Sequence, residues 1–184
     1  EYLIQATIAI EDKNFYQLGG VDFEAVGRAL YHNFFNRTDG NLQGASTLTQ
    51  QLVKNSLLTP EKTYTRKLKE IILAFWTERI YSKNQILQMY FNEAPYGGPT
   101  WGIEAASQVY FGKSAKNLNL PESAFLAGLP ASPTQFSPFG TQPELAKIRQ
   151  KEVLARMSKE GYISSAKADE AYLEPLNLKT PVNN

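Results

Sequence analysis

The chain has 184 residues, with 19 lysines and arginines against 18 acids and no cysteine. That length suits a single domain over residues 1–184 that buries its core without cross-links, and the absence of thiols excludes cysteine nucleophiles, disulfides and cysteine-based metal sites. A net charge of +1 argues against a dedicated nucleic-acid binder, which would carry a clustered basic excess, and no apolar run approaches the roughly 20 residues that span a bilayer. With no signal peptide at Glu1 and no internal repeat or low-complexity stretch, the chain reads as a domain excised from a larger protein.

Apolar residues recur at intervals of three and four through most segments, so the expected class is all-α. A first helix is expected over residues 2–12, which puts Glu11 and Asp12 at its C-terminal end before a loop at 13–20. The partial negative charge of a helix C-terminus disfavours acids, so two adjacent ones point to a functional role, with a solvated loop as the plainer alternative. Asp22 is a plausible N-cap for a second helix carrying Phe23, Val26, Leu30, Phe34 and Phe35 toward Asn36. That aromatic face is either ordinary core or an exposed apolar patch. Residues 37–42, with Asp39, Gly40 and Asn41, have turn chemistry and form a candidate flap. His32, the chain's one histidine, is read as structural or surface.

Pro60 marks the start of the longest expected helix, running to Tyr81 with Leu68, Ile71, Ile72, Phe75 and Ile80 on its buried side. Arg66 and Glu70 lie four apart on one face of it, which by itself reads as a surface ion pair. Ser82 and Gln85 form a capping-box signature for a helix through Ile86, Leu87, Tyr90 and Phe91. Further helices are expected over residues 102–110, 121–128, 143–159 with Gly161 as its stop, and 164–172. Residues 180–184 read as a frayed end or the start of a linker.

The densest chemistry is in QGASTLTQQLVKN, residues 43–55. Gly44 and Ala45 let a backbone approach a ligand closely, Ser46 and Thr47 bring hydroxyls, Gln50 and Gln51 amides, and Lys54 a positive charge. Such a set suits sugars and phosphates, and it is also what a polar helix start looks like, with Thr47 as its cap. Upstream lies EDKNF at 11–15; downstream lie RKLKE at 66–70, KNQILQMYFN at 83–92 and WGIEAASQVYFGK at 101–113. Together these five motifs, in this order and spacing, resemble the peptidoglycan glycosyltransferase domain of class A penicillin-binding proteins and monofunctional transglycosylases. The resemblance runs from Glu11 to about Gly161. One departure is clear: the family's first motif usually reads Glu-Asp-x-x-Phe-x-x-His-x-Gly, and Leu18 stands where its histidine would be.

The resemblance implies a lysozyme-like, two-lobed helical domain with a hydrophobic, membrane-associated lobe around residues 22–36. It implies polymerisation of lipid II into β-1,4-linked glycan with inversion at the anomeric carbon and release of undecaprenyl pyrophosphate. Glu11 is then the catalytic base, and Glu70 the second catalytic acid, either orienting cations or helping to hold a divalent ion, Mg or Mn, with substrate oxygens completing its shell. Asp12 shares that task or tunes Glu11 through like-charge proximity. Lys54, Arg66 and Lys67 would meet the leaving pyrophosphate, and Ser46, Thr47, Gln50 and Gln51 would hydrogen-bond sugar or phosphate. Phe15 would pack on a sugar face or hold the Glu11 loop. Tyr110 and Phe111 look like core, Gly102 permits close contact, and Asn92 fixes a neighbouring loop.

No organic cofactor is implied. The implied partners are lipid II, the growing lipid-linked glycan, the membrane surface and other cell-wall synthesis proteins, at the extracytoplasmic face of the bacterial cytoplasmic membrane. Relatives of this kind carry an N-terminal membrane anchor and often a transpeptidase domain. Two rival readings remain: a lytic, glycan-cleaving enzyme, which would have no pyrophosphate to neutralise, and an inactive lipid- or partner-binding domain, suggested by Leu18.

Overall fold

A computed structural model describes residues 1–21, 46–59, 61 and 63–179. Among these residues the protein is helical, with one isolated antiparallel bridge between Pro95 and Trp101 and no strand. The α-helices are α1 (Tyr2–Glu11), α2 (Leu48–Leu57), α3 (Tyr64–Ile80), α4 (Lys83–Glu93), α5 (Ile103–Phe111), α6 (Leu120–Gly128), α7 (Glu144–Lys159) and α8 (Ser165–Leu173). Short 3-10 turns at Ala115–Asn117 and Leu129–Ala131 complete the set. None of the described helices is long and apolar enough to cross a membrane. The expected second helix from Asp22, the flap at 37–42, His32, Gly44, Ala45 and Pro60 lie outside the described residues.

Most helix starts have a local cause. Thr47 and Gln50 make a reciprocal capping box on α2, as do Asn119 and Glu122 on α6, where Pro121 occupies the first turn. The Thr63 hydroxyl accepts from the Arg66 N–H at 3.1 Å, so α3 begins after Thr63. Ser82 and Gln85 also bond reciprocally ahead of α4. Gly112 ends α5 in the left-handed conformation, and Gly161, with φ +79, follows α7.

The chain divides into two compact units, one of Glu1–Lys13 and Phe91–Asn184, the other of Asn14–Tyr90, with the boundary falling inside α4. In the first unit every residue of α6 is buried. Small side chains at Ala6, Ala9, Ala124 and Ala127 let α1 and α6 approach closely, and Leu120, Val153, Leu154 and Met157 fill the space beside them. Gly102 carries φ +82, and a Cβ there would lie 2.9 Å from the Asn92 carbonyl oxygen, so glycine is required at that contact. Tyr110 and Phe111 are core.

The second unit corrects the expectation for α3. Its buried positions are Glu70 and Ala74, with Ile71 and Leu73 partly covered beside Val21 and Val53. Leu68, Ile72, Phe75 and Ile80, expected inside, are exposed, as are Tyr64 and Trp76. The inward face is the one whose charges find partners: Glu70 with Arg66 and Lys67, and Glu78 with Lys83 and Thr49. Periodicity alone cannot distinguish an apolar stripe from a satisfied polar one as the buried side.

Candidate active site

Glu11 closes α1, and Asp12 is its C-cap, with an N–H donating to the Ile8 carbonyl at 3.0 Å. The last turn of α1 has no basic residue, so the acid finds a cation elsewhere in the unit. Arg149, on α7, brings Nη2 to 3.4 Å from Glu11 Oε1. The guanidinium is shared: Nη1 meets Glu152 Oε2 at 2.9 Å, Nε donates to the Gly128 carbonyl at 3.4 Å, and the group lies 5.5 Å from the Phe136 ring centroid. Gly128 leaves room for this, since a Cβ there would meet Arg149 Cγ at 2.8 Å.

Tyr96 is fully buried in the same unit, and its hydroxyl is pushed up from its ordinary value first by burial and then by the Glu11 carboxylate. The Tyr110 hydroxyl donates to the Tyr96 carbonyl at 2.7 Å, tying that loop to α5. Sequence reasoning missed Arg149, which lies 138 residues from Glu11 along the chain with no local pattern linking the two.

In the second unit, the Glu70 side chain is 2% exposed and both of its oxygens face cations. Arg66 Nη1 lies 2.8 Å from Oε2, and Lys67 Nζ pairs with Oε1 while also donating to Ser46 Oγ at 2.8 Å. The pairing of Arg66 with Glu70 is therefore not the surface ion pair that spacing alone suggested. One negative charge holds two positive ones, so the cluster keeps a net positive charge. Lys67 is the more open of the two cations, with a side chain 38% exposed.

The remaining expected site residues differ in burial. The Thr47 hydroxyl accepts from the Gln50 N–H at 3.1 Å and donates to the Gly20 carbonyl at 2.7 Å, while Gln50 Oε1 accepts from the Thr47 N–H at 3.0 Å. Both side chains are buried and occupied as a helix cap, and Gln50 Nε2 is a spare buried donor. Gln51 and Asp12 are half-buried, and Lys54, in the last turn of α2, is exposed.

Phe15 is 1% exposed, with the Lys83 ammonium 4.5 Å from its ring centroid and Tyr16 edge-on at 5.4 Å. Burial leaves no face for a sugar, so of the two roles expected for Phe15 the geometry fits the structural one. Leu18, at the histidine position, is exposed, and its carbonyl accepts from Lys83 Nζ at 2.8 Å. Lys83 also meets Glu78 Oε2 at 2.7 Å, anchoring the loop through its backbone. Gly20 allows a close approach, because a Cβ there would lie 2.5 Å from the Ala74 carbonyl oxygen.

Among the described residues, the donor set does not fit a divalent ion held by protein ligands. A hard cation of this type takes several oxygen ligands. Both oxygens of Glu70 are already bound to cations, and no group of three or more acids or histidines gathers among the described residues.

The family model described as Transglycosylase matches residues 1–158. Penicillin-binding protein 1A of Aquifex aeolicus is 45% identical over 179 residues, covering 97% of this chain and 24% of that protein. Penicillin-binding protein 1F of Bacillus subtilis is 44% identical over 174 residues, covering 95% and 24%. The chain thus spans about a quarter of the length of the curated relatives it matches. Among solved structures, penicillin-binding protein 1A from Haemophilus influenzae aligns with a TM-score of 0.46 at 26% identity, over 74% of this chain and 17% of that one.

Proposed function

The chain belongs to the transglycosylase family, and from that premise we propose that it is a peptidoglycan glycosyltransferase that polymerises lipid II. In the proposed reaction the C4 hydroxyl of the N-acetylglucosamine of an incoming lipid II attacks the anomeric carbon at the lipid-linked end of the growing glycan. The C4–O–C1 bond forms, the bond from C1 to pyrophosphate breaks, the hydroxyl proton goes to Glu11 and undecaprenyl pyrophosphate leaves. Attack opposite the leaving group inverts an α-linked pyrophosphate into a β-1,4 glycosidic bond. Proton removal late in an oxocarbenium-like transition state suits a carboxylate base.

Arg66 and Lys67 neutralise the departing pyrophosphate, with Lys54 as an outer cation and Ser46 as a hydroxyl donor. Glu70 orients the two cations, and Arg149 holds Glu11. Asp12 and Gln51 hydrogen-bond substrate in this reading, while Thr47 and Gln50 shape the start of α2. A divalent ion, where the reaction uses one, would take its ligands from substrate oxygens. The growing glycan and the outer face of the bacterial cytoplasmic membrane are the setting this chemistry requires.

The observation that carries the reading is the Arg66, Glu70 and Lys67 cluster. A glycan-cleaving enzyme has no pyrophosphate to meet, so two cations oriented by a buried carboxylate favour synthesis. The test is incubation of the purified protein with labelled lipid II, beside the Glu11→Gln variant, with products separated on a gel. Polymer from the parent alone is the expected result. Soluble folded parent that binds lipid II and makes no polymer would turn the reading to an inactive lipid-binding domain.

A further inference from the structure

The unit that holds Glu11 has a concave feature that the proposed reaction does not use. An apolar cleft of about 460 Å³ is lined by Phe125, Pro143, Tyr172, Leu173, Leu176 and Leu178, with Lys147 and Glu174 also on its wall. Its size is within the range of ordinary ligand sites. Lys147 and Lys151, one turn apart on α7, place their ammonium groups 4.7 and 5.3 Å from the Tyr172 ring centroid. Neither lysine pairs with an acid among the described residues. Glu174 is engaged by Asn119 Nδ2 at 3.0 Å.

Lys147 is half-buried, and burial pushes its ammonium below the ordinary lysine value. A cation partly removed from water and balanced only by a ring face gains from a carboxylate more than a solvated surface lysine does. The walls around it are apolar and stiffened by proline, so the complementary ligand combines apolar side chains with one acid. A flat anionic lipid surface would match exposed lysines on a convex face, whereas this charge lies at the wall of a concave cleft.

We propose that this cleft docks a peptide segment of a partner protein in which apolar side chains flank an aspartate, a glutamate or a terminal carboxylate. The experiment selects a random dodecapeptide display library on the intact chain, then measures the selected peptides by fluorescence anisotropy against the parent, K147M/K151M and K147R/K151R. The expected result is enrichment of apolar peptides containing an acid, about tenfold weaker binding to K147M/K151M, and recovery in K147R/K151R. Amide-line shifts confined to α7, α8 and residues 174–178 would locate the site, and lipid II polymerisation should be equal in all three proteins. The proposal is overturned by enrichment without an acid preference, by equal binding to K147M/K151M, or by no enrichment at all. Binding of phosphatidylglycerol vesicles that the methionine pair abolishes, with no peptide selected, would assign the lysines to lipid instead.

Discussion

The two units of the protein each hold a glutamate beside arginine, and they do so in opposite ways. Glu11 meets Arg149 at 3.4 Å, and that arginine divides its donors among Glu152, the Gly128 carbonyl and the Phe136 ring. Glu70 meets Arg66 at 2.8 Å and Lys67 besides, so both of its oxygens are held. Arg149 divides its donors among several acceptors, whereas Arg66 and Lys67 converge on the two oxygens of one buried carboxylate and clamp it. That difference is consistent with the roles proposed above, proton transfer for the first and charge placement for the second.

The largest expected effect breaks the first half of that comparison. Glu11→Gln keeps shape while removing the base, and lipid II polymerisation should fall by about 1,000-fold, the middle of the range for general-base loss. Unfolding by urea should move little, because the amide fills the same space beside Arg149. A large loss of stability with modest loss of rate would exchange the roles assigned to the two glutamates. Glu70→Gln should show that opposite pattern. Removing the charge strands two cations on a mostly buried face, and stability should drop by about 3 kcal/mol, the low end for a broken buried pair because Lys67 is partly exposed. Polymerisation should fall with it through weaker pyrophosphate binding. A Glu70→Gln protein as stable as its parent would show that the clamp adds nothing to the fold.

The two glutamates also mark what could be read from residue order. Helix limits were legible because their signals are local: Ser82 with Gln85, Pro121 in a first turn, and Gly161 past a last one all lie within a few residues of the feature they set. The position of the two acids at the end of α1 was legible too, since it follows from where that helix stops. Arg149 was not, since its link to Glu11 exists only when α7 packs on α1. The orientation of α3 was misread for a related reason. Its apolar stripe is as periodic as any buried one, and the inward face is marked by contacts of Lys67 with Ser46, Ala74 with Gly20 and Glu78 with Lys83, partners that no window on α3 contains.

Gly20 supplies a smaller test. Gly20→Ala forces a methyl to 2.5 Å from the Ala74 carbonyl oxygen, a backbone atom that cannot swing aside. The expected cost is about 2 kcal/mol in the unit containing α3, with little change in Glu11 chemistry once the protein is folded. Gly19→Ala is the control: a Cβ there meets nothing within 4 Å, and the melting temperature should hold. Equal effects from both alanines would mean that backbone freedom, rather than contact with α3, explains the pair. Thr47→Ala should cost about 1 kcal/mol, the usual loss of a helix cap, measured in the same urea titration. Because Thr47 also bonds the Gly20 carbonyl, its loss and that of Gly20 should combine non-additively in the double variant.

The smallest effect expected is at Leu18, and it bears on whether the family histidine is missed at all. The loop is fixed by main-chain groups at and beyond that residue: Lys83 takes the Leu18 carbonyl, and Thr47 takes that of Gly20. With its side chain exposed, Leu18 contributes little packing, so Leu18→His should change stability by less than about 0.5 kcal/mol. Under the role given to Glu11, turnover should change less than about twofold, since neither the base nor Arg149 is altered. A tenfold gain in polymerisation would show that an imidazole at this position takes part in the reaction, and Leu18 would then be a true catalytic loss rather than a neutral exchange. Lys83→Met separates the two cases further. If backbone anchoring is what holds the loop, removing the ammonium should slow the parent and the Leu18→His protein by the same factor, whereas a histidine that acts directly would retain its advantage.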